Sequence, residues 1–122
     1  MLMKTILNLE YLAILIFGIF AFYLSGISLW WFLLLFLTPD ISMLGYLISP
    51  KWGAFMYNIA HHLGLGIGFF IYGYFYMNTT CLAIAGVILA HSAFDRILGY
   101  GLKYNRDFHE THLGKIGKNK SN

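Results

Sequence analysis

The sequence predicts an all-α membrane protein: four transmembrane helices in an up-down bundle, the second broken near Pro39, then a short amphiphilic cytoplasmic segment. Composition leads there first. Of 122 residues, 59% are hydrophobic and only 11% charged, against about a quarter charged in ordinary soluble domains. Five acidic and eight basic side chains are too few to cover a soluble domain of this size. Length is the second observation: the apolar residues form four runs, each near the roughly 20 residues a helix needs to cross about 30 Å of hydrocarbon. Their continuity is the third. Strands of a transmembrane barrel would alternate apolar and polar residues, and these runs do not.

The first run covers about residues 6–24. Lys4 ahead of it resembles the start of a signal peptide, but Glu10 interrupts the apolar stretch and no A-x-A site follows, so it is read as a retained helix. The second covers about 27–48 and contains "TPD". Pro39 has no N–H and clashes with the turn before it, which predicts a kink or restart, with Thr38 capping the lower half and Asp40 facing the interior. The third and fourth runs cover about 54–77 and 81–102. The links "SGIS", "SPKWG" and "NTT" are short and carry turn residues, so consecutive helices are antiparallel neighbours. Residues 1–102 then form the membrane domain and 103–122 a tail. The lone Cys81 excludes an internal disulfide framework and is read as a small buried residue.

Orientation follows from the cations. Lys4, Lys51, Lys103, Arg106, Lys115, Lys118 and Lys120 all fall on one side, and the other two loops carry none. Positive residues stay in the cytoplasm, so both termini are expected there. The net charge of +3 reflects this topology, and the partner it implies is the lipid bilayer rather than nucleic acid. Trp30, Trp31, Trp52, Tyr72, Tyr74 and Tyr76 lie near helix ends as an interfacial belt. Gly99 and Gly101 are read as packing and helix-exit residues.

Every run also carries polar residues that lipid disfavours: Glu10; Asp40; Asn58, His61 and His62; His91, Asp95 and Arg96. A central Asp or Arg costs about 2.5–3.5 kcal/mol on insertion scales. At about 1.5 Å per residue, Glu10 lies roughly 6 Å, Asp95 9 Å, Asp40 10 Å and the His61–His62 pair 11 Å from the cytoplasmic face, with His91 near mid-membrane. The polar groups thus share one layer. His91 and Asp95 are four apart and face one way. His61 is favoured as the inward histidine with His62 behind it, or the reverse, and Gly64 and Gly68 offer a small-residue face for a close neighbour. His109 and His112 in the tail are three apart, and would share a face in a helix folded beneath the bundle.

Imidazole and carboxylate ligands of this kind suit a divalent ion such as zinc, manganese or iron. The candidate ligands are Asp40, His61, His62, His91, Asp95, His109 and His112. A bound ion would offset carboxylate burial and activate water, which points to metal-dependent hydrolysis of a lipid-like or phosphorylated substrate. Glu10 is then the candidate general base and Arg96 the anion clamp; alternatively Arg96 pairs with an aspartate or reaches the interface. Two other function classes fit the same layer. One is a proton- or cation-coupled transporter, whose path four helices would enclose as a homodimer. The other is a structural or regulatory subunit whose polar network only fixes helix packing.

The segments "LTPDISMLGYLISPKWGAFMYNIAHHLGLG" and "HSAFDRILGYGLKYNRDFHETHLG" resemble a family of small bacterial integral membrane proteins known as domain of unknown function 4260. The resemblance rests on T-P-D-x-S-M-x-G-Y, Y-N-x-x-H and H-x-x-x-D-R-x-L-G-Y-G-L-K-Y…T-H-L-G blocks and implies a membrane location without an established activity; the expected membrane is the bacterial inner one. More loosely, the PD motif, the H-x-x-x-D helix and the extra histidines are similar to membrane-bound metal-dependent hydrolases of the YdjM type, although their H-R-G-x-T-H-S block is lacking. That likeness implies hydrolase activity.

Overall fold

A computed structural model describes residues 2–101, 110–111 and 113–115. Helix α1 (Leu2–Leu24) is a single apolar span. Helix α2 (Leu29–Leu35) starts at Ser28, whose hydroxyl accepts the Trp30 N–H, and gives way to a 3₁₀ helix (Thr38–Leu47). The change has a local cause. Pro39 cannot donate to the Leu35 carbonyl one turn back, and the Thr38 hydroxyl donates to it instead at 2.7 Å. Thr38 therefore bonds backwards and does not cap the lower half, contrary to expectation. The Asp40 N–H goes to the Leu37 carbonyl at 3.1 Å, the shorter 3₁₀ reach. That leaves the Phe36 carbonyl, its α-helical acceptor, unclaimed by the helix.

The third run is not one helix. It divides into α3 (Pro50–Ala60) and α4 (Leu63–Phe75), which meet at 40°. His62 breaks it: its backbone is extended, and its Nδ1 accepts the Leu65 N–H at 3.1 Å as the N-cap of α4. Helix α5 (Thr79–Ile97) is capped by the Asn78 side chain, which accepts from the Cys81 N–H. It ends five residues before 102 in a Schellman motif, with Tyr100 N–H on the Asp95 carbonyl, Gly99 N–H on the Arg96 carbonyl, and Gly99 at φ 96°.

Helix α5 is the centre of the molecule, buried along most of its length, with α1 and α4 packed on it. The α1 contact is backbone on backbone: a Cβ on Gly86 would lie 2.6 Å from the Gly18 carbonyl oxygen, and one on Gly18 2.7 Å from the Ala90 nitrogen. Phe22 of α1 and Phe32 of α2 pack beside it with Ala83, Val87 and Ala90. On α4 the close approaches are Gly66 against Leu89 and Gly73 against Leu82. The expected Gly64–Gly68 face is not the packing face, since a Cβ on Gly68 would meet nothing within 4 Å. The 3₁₀ helix folds back on α3 through Gly45 and Gly53. In the tail, Glu110–Thr111 and Gly114–Lys115 form a short antiparallel ladder.

Three segments, Leu2–Leu24, Leu29–Leu47 and Thr79–Ile97, are long and apolar enough to cross a membrane, and the bent α3–α4 pair makes a fourth if it is one span. Large apolar side chains are exposed along α1, α2, α3 and α4. Such an exterior belongs in lipid.

Candidate metal centre

Three breaks or helix ends meet in the bundle: the 3₁₀ turn at Asp40, the end of α3 at His61, and the last two turns of α5. They bring together Asp40, His61, His91 and Asp95, with one ligand atom of each lying within 4.8 Å of all the others. The Asp40 Oδ1 oxygen is 3.1 Å from His61 Nε2 and 3.0 Å from His91 Nε2; Asp95 Oδ2 is 3.5 Å and 3.3 Å from the same two nitrogens. Metal–ligand bonds of about 2.0–2.1 Å place tetrahedral ligand atoms about 3.3 Å apart, and octahedral neighbours about 3.0 Å apart. All four measured separations fall on or near those values.

The other ring nitrogens decide the chemistry. His61 Nδ1 lies 2.9 Å from the Tyr57 carbonyl, and His91 Nδ1 lies 2.7 Å from the Phe36 carbonyl. A carbonyl only accepts, so both Nδ1 atoms carry the proton and donate. In the neutral ring each Nε2 then presents a lone pair, and it presents it to carboxylate oxygens that are also acceptors. Four acceptor atoms at 3.0–3.5 Å repel one another unless a cation sits among them, either a metal ion or a proton on each imidazole. The Phe36 carbonyl is the one that the 3₁₀ turn leaves free, so Pro39 both aims Asp40 and supplies the anchor for His91.

Tyr57 supports the group in three ways. Its carbonyl holds His61, its ring stacks on the His61 ring at 3.8 Å between centroids, and its hydroxyl donates to Asp95 at 3.3 Å. It is four residues before His61 in "YNIAH", a spacing that puts both on one helix face, but a lone tyrosine in an apolar helix does not by itself mark a supporting role. The Phe36 contribution is a backbone group and leaves no mark in residue type.

A family model, Domain of unknown function (DUF4260), matches residues 4–116. The chain belongs to the DUF4260 family. All four residues of the group lie inside the matched stretch. No curated protein and no solved structure matches the chain.

In this DUF4260 protein the other candidate residues fall elsewhere. His62 is exposed, and its Nδ1 is engaged as the α4 cap. His109 and His112 lie outside the described residues. Glu10 is exposed on α1 and is not among the four. Arg96 turns to α1, its guanidinium carbon 5.9 Å from the centre of the Tyr11 ring. Among the described residues it pairs with neither Asp40 nor Asp95. His61 and His91 are 3% and 2% exposed, whereas the Asp40 side chain is 41% exposed, so the group opens on the Asp40 side. An apolar cleft of about 380 Å³ is lined among others by Pro39 and Ala60, the residues just before Asp40 and His61, and by Val87 and Ile88 of α5; none of the four ligands lines it.

Proposed function

We propose that Asp40, His61, His91 and Asp95 hold a divalent metal ion, zinc, manganese or iron, in the cytoplasmic half of a membrane-embedded bundle. One observation carries the reading: two imidazoles with Nδ1 committed to carbonyls aim their Nε2 lone pairs at two carboxylates. Fixing the outer nitrogen of each ligating histidine with a backbone carbonyl is the usual support of a metal site. Two carboxylates and one divalent ion also sum to no net charge, which suits burial. Residues 1–102 form the membrane domain in this reading and 103–122 a cytoplasmic tail. Lys4 and Arg96 at one end of the bundle, with Trp30, Trp31 and Tyr76 exposed at the other, favour both termini in the cytoplasm of a bacterial inner membrane.

The reaction class that suits the site is hydrolysis. A bound ion supplies a polarised oxygen or an activated water. Asp40, the most exposed ligand, borders the side from which water and substrate arrive, and the apolar cleft beside Pro39 and Ala60 favours a lipid-like substrate. No step falls to Glu10 or Arg96, one being exposed on α1 and the other lying against Tyr11. The test is metal content of the detergent-purified chain: about one ion per chain is expected, lost in His91→Ala. A wild type that holds no zinc, manganese or iron after reloading ends the proposal. Metal-dependent release of nitrophenol from p-nitrophenyl esters or phosphate, absent in the variant, tests the hydrolase step.

A second reading, ion transport, draws on the two broken spans that meet at the group, since discontinuous helices often line transport sites. Proteoliposomes without proton or cation flux under any imposed gradient exclude it.

A further inference from the structure

We propose that the cleft between the start of α1 and the end of α5 binds the phosphate headgroup of an anionic membrane phospholipid. It is a separate site from the four-ligand group and does not depend on a metal there.

The cleft has a volume of about 440 Å³, with Lys4, Leu7, Asn8 and Tyr11 of α1 on one side, Arg96 and Ile97 of α5 on the other, and Leu113 of the tail also lining it. None of its described lining residues is acidic. Arg96 is half-buried, and its guanidinium lies over the Tyr11 ring, which keeps the planar donor fork inside the cleft. Its sequence neighbour Asp95 does not neutralise it, because that carboxylate is engaged by Tyr57, His61 and His91. Among the described residues neither Arg96 nor Lys4 makes an ion pair. Two cations and the Asn8 amide thus face one cavity with no anion on its described walls.

A guanidinium fork with an ammonium beside it is donor chemistry matched to phosphate. The remaining lining is apolar, and the outward faces of α1 beside it expose Ile6, Leu9 and Leu12 to hydrocarbon. A ligand with phosphate at one end and acyl chains at the other satisfies both halves, whereas free phosphate satisfies only the first. The place is also right: basic pockets between helices at the cytoplasmic surface are where anionic headgroups bind. Gly18 and Gly86 hold α1 and α5 backbone to backbone above it, so the two cations keep a fixed relation.

The experiment takes the full chain into nanodiscs of phosphatidylcholine alone or mixed with phosphatidylglycerol. Lipid retained on the folded fraction is then counted by native mass spectrometry after release into detergent. Wild type should retain phosphatidylglycerol in preference to phosphatidylcholine. Lys4→Gln and Arg96→Gln should each weaken retention about fivefold, and the double variant about thirtyfold. Arg96→Lys, which keeps a charge at that position if Gln there impairs folding, should lose less. Asp40→Asn should leave retention unchanged. Equal retention of the two lipids by wild type, or wild-type retention by the double variant, overturns the site. Glycerol phosphate or inorganic phosphate displacing the lipid at equal concentration overturns its assignment to a lipid.

Discussion

Asp40→Asn is the most discriminating change in the four-ligand group. The Asp40 oxygen forms the two shortest contacts of the set, 3.1 Å to His61 and 3.0 Å to His91. Substitution by an amide removes one of two negative charges and places an N–H donor where an acceptor stood. That N–H can bond an Nε2 lone pair directly, so the need for a cation falls as the ability to bind one falls. Loss of an outer partner alone weakens metal binding about 10–100-fold, and loss of a ligand charge should weaken it by at least the upper figure. At a metal concentration 100 times the wild-type Kd, binding stabilises wild type by about 2.7 kcal/mol. A Kd 100-fold higher leaves the variant about 0.4 kcal/mol under the same conditions. The assay is thermal or denaturant unfolding in detergent, with and without zinc or manganese, alongside chelator competition for Kd. Equal stabilisation of the two proteins would refute the reasoning. So would a wild type indifferent to both metal and chelator, which would leave two protonated histidines paired with two aspartates as the account of the geometry.

Four further outcomes test the structure. Tyr57→Phe keeps the ring stacked on His61 and the carbonyl on its Nδ1 but removes the 3.3 Å bond to Asp95; metal affinity should fall about tenfold, measured by chelator competition. Gly86→Ala should destabilise the protein by about 1–3 kcal/mol, because its Cβ meets the α1 backbone. Gly68→Ala, with open space around it, should be neutral or gain up to about 1 kcal/mol in the same unfolding assay. Cys81, half-buried rather than buried as the sequence suggests, is the only cysteine, at the start of α5. With cytoplasmic termini it should react with an impermeant maleimide on intact cells, to the extent it reacts in detergent; labelling only after permeabilisation would invert the topology.

Much of the arrangement was legible because lipid makes polar residues conspicuous. Asp40, His61, His91 and Asp95 stood out in apolar runs, and counting rise per residue put them in one layer, with His91 the nearest to mid-membrane. The break at Pro39 was legible because proline announces its own missing donor. The break at His61–His62 was not, since neither residue is a strong helix breaker and hydropathy runs unchanged across it. That miss carried the Gly64–Gly68 error with it. The helix stops at His61 and a new one starts at the His62 cap, and in that helix Gly66 and Gly73 lie on the packing face. Which neighbouring histidine turned inward was settled by the same cap. The anchoring carbonyls of Phe36 and Tyr57 belong to the backbone, whose free acceptors appear only once the hydrogen-bond ladder is known.

The helix that completes the group is made after the other two elements that contribute to it. Asp40 precedes its partner His91 by 51 residues, and His61 precedes α5 altogether. During synthesis the first three runs therefore reach the membrane carrying an aspartate and a histidine whose remaining partners are still in the ribosome. Their residence in the bilayer is least favourable at that stage. It improves when Thr79–Ile97 packs against α1 and α4 and brings His91 and Asp95 together, so a chain cut before Thr79 should keep Asp40 and His61 without those partners.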